Sequence, residues 1–209
     1  MSHPRYDGPV IDAHCHYDAS TRSHVSATNA LGGLLAAIHL WDITWPPARP
    51  AADAAAWSEY EPALLRCHVP DLSGVGNIGS EAKLEKDLRD AAAAGVVGVK
   101  VWKNLGLWLR DSRDRRLAVN DPRLEVIWTT AAELGLPIAI HQGDPPAFFA
   151  PLDASNPRIE ELRVHTDWWY GGGDFPSLGQ IHDELEAVID GNPATRFIAV
   201  HFGCFMPWP

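Results

Sequence analysis

Short apolar runs alternate with amphipathic helical segments along this chain, and that alternation limits the folds open to it. Near-continuous apolar runs are typical of strands that a parallel sheet buries on both faces. Six strands are predicted, at 10–16, 33–40, from 67–69 onward, 96–101, 137–141 and 196–201. For the second segment, 33–40, a helix is the alternative to a strand. Strands joined through helices form a parallel sheet with right-handed crossovers, so an α/β protein is predicted.

The segments between the strands carry helix start and stop signals. Four helices are predicted, at 53–66, 80–94, 122–134 and 178–189. Ser80 is expected to cap the second helix and Gly95 to end it. Ser177 and Gln180 form a capping box for the fourth. Residues 142–176 show little periodicity, which predicts a long loop with a functional role.

Histidines stand where three of the predicted strands end. His14 and His16 end the first strand, His141 the fifth and His201 the sixth. Side chains two residues apart in a strand share a face, so His14 and His16 are expected side by side. Two imidazoles in that position predict a divalent-metal site. The alternative is a pair of polar histidines at a strand end with no ligand.

The open doubly wound sheet is the competing architecture. It is disfavoured because no glycine-rich phosphate loop follows the first strand. A (β/α)8 TIM barrel instead gathers the carboxyl ends of its strands around one site. The four histidines would then meet in space, and a single barrel domain over 1–209 is predicted.

Charge and cysteine content argue against several classes of protein. The formal net charge of −10 disfavours nucleic acid and membrane surfaces as partners. No apolar run is long enough to span a bilayer, and residues 1–7 lack the apolar stretch of a signal peptide, so a cytoplasmic protein is expected. Cys15, Cys67 and Cys204 form no C-x-x-C pair, which argues against disulfides and a zinc–thiolate site.

Four motifs, in the same order along the chain, resemble the amidohydrolase superfamily. They resemble in particular its amidohydrolase-related branch, which holds metal-dependent hydrolases and enzymes similar to aminocarboxymuconate-semialdehyde decarboxylase. The motifs are Ile11-Asp12-Ala13-His14-Cys15-His16, Gly98-Val99-Lys100-Val101, Gly135-Leu136-Pro137-Ile138-Ala139-Ile140-His141 and Phe197-Ile198-Ala199-Val200-His201-Phe202-Gly203. The resemblance implies a TIM-barrel fold and a divalent metal cofactor, with zinc expected.

The resemblance also implies roles for individual residues. His14, His16 and His141 match the metal ligands. His201 matches the strand-six histidine, which binds a second metal in two-metal members, or polarises the substrate and moves a proton in one-metal members. Lys100 occupies the position of a carbamylated bridging lysine in some relatives, but a substrate-carboxylate or barrel-interior role is favoured here.

One departure from the family pattern concerns the end of the barrel. The family barrel has eight strands, and an aspartate after the eighth completes the metal site. The pattern here stops after strand six, which predicts a barrel truncated there. Two open sheet edges would then expose backbone and apolar lining, so a homo-oligomer is expected.

The long loop supplies the candidate substrate contacts. His165 and Trp169 are predicted to touch substrate, and Trp168 and Tyr170 to help form the wall of a pocket for a flat apolar molecule. The alternative is that these aromatic side chains only pin the loop to the barrel. Asp144, three residues after His141, is a candidate carboxylate for the site.

Three imidazoles around a metal leave a position for water, whose pKa the metal lowers. This chemistry predicts a hydrolase acting on an amide, ester or lactone bond of a small molecule. A non-oxidative decarboxylase of a small carboxylate is the runner-up. A metal-binding product without catalytic activity is the third reading.

Overall fold

Six parallel strands form one sheet in the computed structural model, which describes residues 11–17, 34–39, 64–201 and 203, the first two ranges as backbone only. The strands are β1 (Ile11–Tyr17), β2 (Leu34–His39), β3 (Leu64–His68), β4 (Gly98–Val101), β5 (Ile138–Ile140) and β6 (Phe197–Ala199). They lie side by side in chain order, each parallel to the next. A doubly wound sheet reverses its strand order at a switch point, whereas this sheet winds in one direction, as in a (β/α)8 barrel.

The crossovers between the strands contain helices of very different length. The α-helices of the described residues are α1 (Ser80–Ala93), α2 (Asn104–Leu107), α3 (Glu125–Glu133), α4 (Ile159–Val164) and α5 (Leu178–Gly191). Short 3₁₀ helices lie at Pro122–Leu124, Pro146–Phe148 and Thr166–Trp168. No helix of the described residues is long and apolar enough to cross a membrane.

The hydrophobic core lies between these helices and the outer face of the sheet. Val99 of β4 and Ile138 of β5 pack with Leu88 of α1 and with Ile127 and Trp128 of α3, all at 1% exposure or less. Side chains alternate across a strand, so Lys100, which pairs in register with Ala139, lies on the opposite face from Val99. Lys100 therefore lies on the inner face of the sheet.

Several predicted elements are confirmed. Residues 34–39 form a strand, not the alternative helix. The Ser177 hydroxyl accepts the Gln180 N–H at 3.1 Å, as the capping box predicts. Helical structure begins at Pro122, as predicted, and the Asp121 carboxylate caps it by accepting the Arg123 N–H.

Three local predictions are wrong. The predicted helix 53–66 fails at its end, because β3 begins at Leu64; residues 53–63 lie outside the described residues. Ser80 does not cap α1, because Gly79, with a φ of +80°, takes the cap position and Ser80 is the first helical residue. The segment 142–176 is not a featureless loop, because it contains α4 and two 3₁₀ turns.

Candidate metal centre

His141 is the best-defined residue of the candidate site. Its backbone N–H donates to the Val101 carbonyl at 2.9 Å, which fixes it at the carboxyl end of β5. Its side chain is buried, and within the described part of the chain its Nε2 atom has no hydrogen-bond partner, although the Asp144 carboxylate lies within ion-pair distance. Burial, together with the charges of Lys100 and His201, lowers the pKa of the ring against the opposing effect of Asp144, so the imidazole is neutral at pH 7.

A buried imidazole nitrogen that lacks a partner is costly unless something binds it. A neutral ring with a free lone pair is the form in which histidine binds a metal. The residue therefore fits the role of metal ligand predicted for it. Among the described residues no three histidine, cysteine or acidic side chains converge on one metal position, so a complete ligand set requires side chains from another strand.

His201 lies beside His141. The two ring centroids are 4.7 Å apart and the rings meet edge to face at 74°. β6 ends at Ala199, and His201 has a φ of +54°, a left-handed conformation that is uncommon outside glycine. Partial burial and the Lys100 charge lower the pKa of His201, so this ring is also neutral at pH 7. The structure thus brings the ends of β5 and β6 together.

Lys100 is completely buried on the inner face of β4. Its charge lowers the pKa of both histidines. The same charge lowers the pKa of Cys67 on the neighbouring strand, but burial dominates there and raises that pKa to about 11. Cys67 is therefore a protonated, unreactive thiol at neutral pH.

Asp144 interacts with His141, Lys103 and Tyr170 at this site. Its Oδ1 atom lies 3.7 Å from Nε2 of His141, and its Oδ2 atom accepts a hydrogen bond from Lys103. Burial acts to raise the pKa of Asp144, but His141 and Lys103 outweigh it, so the pKa lies below its ordinary value. Burial and the Asp144 charge raise the pKa of Tyr170, which keeps that hydroxyl protonated.

Sequence reasoning did not find the partnership of Lys103, Asp144 and Tyr170. Their separation along the chain gives no pattern to detect. The available signal is position, because Lys103 lies two residues after the end of β4 and strand-end loops carry the site residues of barrel enzymes.

The long segment after β5 uses its aromatic side chains mainly for its own packing. The exposed His165 ring stacks on Trp168, with centroids 4.0 Å apart. Trp168 in turn stacks on Phe148 at 6.2 Å. The Trp169 indole N–H donates to the Ala150 carbonyl at 2.8 Å. These contacts are all made within the segment and stabilise its own fold. Substrate contact by His165 and Trp169 stays a prediction.

His14 and His16 lie on β1, whose side chains are outside the described residues. The pairing of β1 with β2 shifts by one residue between Asp12 and Cys15. Such bulges re-aim side chains and are frequent next to active sites. The prediction that His14 and His16 lie on the same face assumes regular alternation of side chains along β1. The shift in pairing falls within this part of the strand, so their position side by side stays a prediction.

The fold is that of solved amidohydrolase and decarboxylase structures. A provisionally assigned amidohydrolase from Staphylococcus aureus matches with a TM-score of 0.55 and 12% identity, over 90% of this chain and 65% of that protein. The 2,6-dihydroxybenzoate decarboxylase from Rhizobium matches with a TM-score of 0.53 and 14% identity, over 96% of this chain and 72% of the enzyme. No protein-family model and no curated protein sequence matches the chain.

A third similar structure carries a metal. It is the dihydroxybenzoic acid decarboxylase from Polaromonas sp. JS666 with bound manganese and the inhibitor 2-nitroresorcinol. The TM-score is 0.50 and the identity 15%, over 90% of this chain and 63% of the enzyme. The chain therefore spans less than two thirds of the Staphylococcus and Polaromonas proteins. At these identities the likeness establishes an α/β fold of the amidohydrolase barrel type, as the motifs predicted.

Proposed function

We propose that this chain is a metal-dependent hydrolase of the amidohydrolase type, which cleaves an amide, ester or lactone bond of a small molecule. The single observation that carries the proposal is the buried, neutral imidazole of His141 at a strand end of an amidohydrolase-type sheet, whose Nε2 atom has no hydrogen-bond partner among the described residues. His14 and His16 are proposed as the ligands from β1. Zinc is the proposed metal because three imidazoles suit it, with manganese the alternative.

When bound, a divalent metal lowers the pKa of a coordinated water and so supplies a hydroxide nucleophile near neutral pH. His201 is proposed as the catalytic residue. Its neutral ring beside His141 accepts a proton from the attacking water and returns it to the leaving group. Lys100 contributes positive charge at the carboxyl ends of the strands, which favours the oxyanion that develops during attack.

A metal-dependent decarboxylase is the second candidate. Two of the three similar structures described are dihydroxybenzoate decarboxylases. The lysines near His141 suit a substrate that carries a carboxylate. A small-molecule substrate and a cytoplasmic location form part of both proposals. A metal-binding product without activity is the third.

Turnover by the metal-loaded chain separates these candidates. The chain is incubated with a panel of lactones, amides, esters and aromatic carboxylates, and acid release and carbon dioxide release are followed separately. Hydrolysis that disappears in His201→Ala while metal content is unchanged supports the hydrolase. Carbon dioxide release without hydrolysis supports the decarboxylase, and metal binding with no turnover of any panel member overturns both.

A further inference from the structure

The ion pair between Lys103 and Asp144 lies beside the candidate metal centre and has no part in the proposed reaction. The two side chains are 14% and 9% exposed. A buried ion pair is weak support for stability, because desolvation of the two charges offsets their attraction. The position of the ion pair therefore says more about its role than its contribution to stability does. The Oδ1 atom of Asp144 lies 3.7 Å from Nε2 of His141.

The contacts of Lys103 within the described residues use only part of its hydrogen-bonding capacity. An ammonium group has three N–H donors and no acceptor. The Asp144 carboxylate takes one of them, and the ring of Tyr170 lies on another side, with its centroid 5.6 Å from Nζ. Within the described part of the chain, these two contacts leave a donor that faces neither partner.

An aromatic surface adjoins the same ammonium group. Trp108 stacks on Tyr170 at 6.2 Å with the rings 25° apart, and Trp102 meets Trp108 edge-on at 5.5 Å. We call these three side chains the aromatic wall. Trp108 is 40% exposed whereas Tyr170 is buried, so a ligand can reach the wall at Trp108. A flat apolar surface beside a cation suits a planar molecule that carries an anionic group.

We propose that Lys103 is a specificity-determining residue, which binds a carboxylate on a planar substrate that lies against the aromatic wall. Asp144 is a positioning residue that holds the ammonium group beside Tyr170. The inference rests on the proposed function, since it requires the substrate to bind at the His141 end of the sheet.

The test compares two variants that differ only in the ammonium group. Lys103→Gln alone would leave the Asp144 charge buried without its partner, which is strongly destabilising. The double variant Lys103→Gln/Asp144→Asn removes both charges together. Asp144→Asn is the matched control for the ammonium group, because it keeps Lys103, although it leaves that charge without its carboxylate partner and is itself expected to lower stability. Thermal melts of both variants establish that each is folded.

Binding of benzoate and of its uncharged counterpart benzamide to the metal-loaded chain is measured by calorimetry. The double variant is expected to lose about tenfold or more in benzoate affinity, the range of a hydrogen bond to a charged group, with benzamide affinity unchanged. The Asp144→Asn control keeps the ammonium group and is expected to retain a preference for benzoate, smaller than that of the wild type because the positioning carboxylate is gone. An unchanged ratio of the two affinities in the double variant would overturn the inference. Equal losses for both probes, or a wild-type chain that does not prefer benzoate, would also do so.

The failure of this inference is separable from the failure of the proposed function. If the wild-type chain binds metal and turns over a substrate but the double variant keeps its benzoate preference, only the role of Lys103 is wrong. If the wild-type chain binds no metal at His141, the proposed function itself is wrong.

Discussion

At the scale of single residues, the site depends on close contacts that small changes would break. Gly106, in α2, has a φ of +91°, and a Cβ atom there would lie 2.6 Å from the buried Oε1 of Gln142. Gln142 directly follows His141, and its amide donates to the His141 carbonyl at 3.0 Å. The glycine therefore allows the chain after β4 to pack against the chain that positions the candidate ligand.

Gly106→Ala is expected to lower the free energy of unfolding by about 2 kcal/mol or more, since the left-handed backbone alone costs an L-residue about 1–2 kcal/mol. The contact with Gln142 adds to that cost. Gly135→Ala is the matched control, because Gly135 has a φ of +70° with open space around its Cβ position. Urea unfolding of both variants measures the difference, and equal losses would show that the Gln142 contact costs nothing.

Contacts between residues close in sequence could be predicted, whereas contacts between distant residues could not. The Ser177 cap was predictable because its partner, Gln180, is three residues away and the signal is local. Ser80 offers the same kind of signal, but Gly79 can adopt the left-handed conformation and takes the cap position instead. The pairing of Lys103 with Asp144 was beyond prediction, because only the packing of the chain after β4 against the chain after β5 brings them together.

At the scale of elements, a turn before α3 is held by one carboxylate. Asp111 accepts the backbone N–H groups of Arg113 and Arg115, and its other oxygen accepts from the Arg115 and Arg123 side chains. The hydrogen bond from Arg115, with those from Arg123 and the backbone, holds the pKa of Asp111 well below its ordinary range despite burial.

Stability is therefore expected to depend on Asp111 in a defined pH window. A lowered folded-state pKa means that the contribution is present above the unfolded value of about 3.9 and is lost as the pH falls below it. Asp111→Asn should destabilise the chain at pH 7, and the difference from wild type should shrink between about pH 4 and pH 2. Urea unfolding across this range is the measurement; a difference that does not change with pH would show that the charge contributes nothing.

Elements were predicted where their pattern is strong and missed where it is weak. The apolar runs that became β4 and β5 were found because both of their faces are buried. The start of β3 was missed because Leu64 and Leu65 also fit the helical spacing of the residues before them. The short helix α4 was missed because its six residues are too few to establish a period.

At the scale of the whole molecule, β6 is the last strand of the sheet among the described residues, and it is partly exposed. Ile198 pairs in register with Ala139, on the row that contains Lys100, yet it is 45% exposed. In a closed barrel this row faces the packed interior. Exposed apolar groups on an edge strand favour association with another chain.

Self-association of the 209-residue chain is therefore expected, and Ile198→Glu should reduce it. Light scattering at tens of micromolar measures the molar mass of both forms. Val164→Glu is the control, since Val164 is 75% exposed on the last turn of α4 and is not part of the sheet. A wild-type chain that stays monomeric, or equal effects of the two variants, would show that the β6 edge is not the contact surface.

The central claim is that His141 binds a divalent metal together with His14 and His16. Metal content of chains purified without chelator, measured by elemental analysis, tests it most directly. About one metal ion per wild-type chain is expected, and less than roughly 0.2 metal ions per chain in His141→Ala and in His14→Ala/His16→Ala. His68→Ala is the control that should keep its metal, since His68 is paired with Asp87 of α1 at 2.8 Å. Equal metal content in the wild type, in His141→Ala and in His14→Ala/His16→Ala would show that these histidines do not bind the metal.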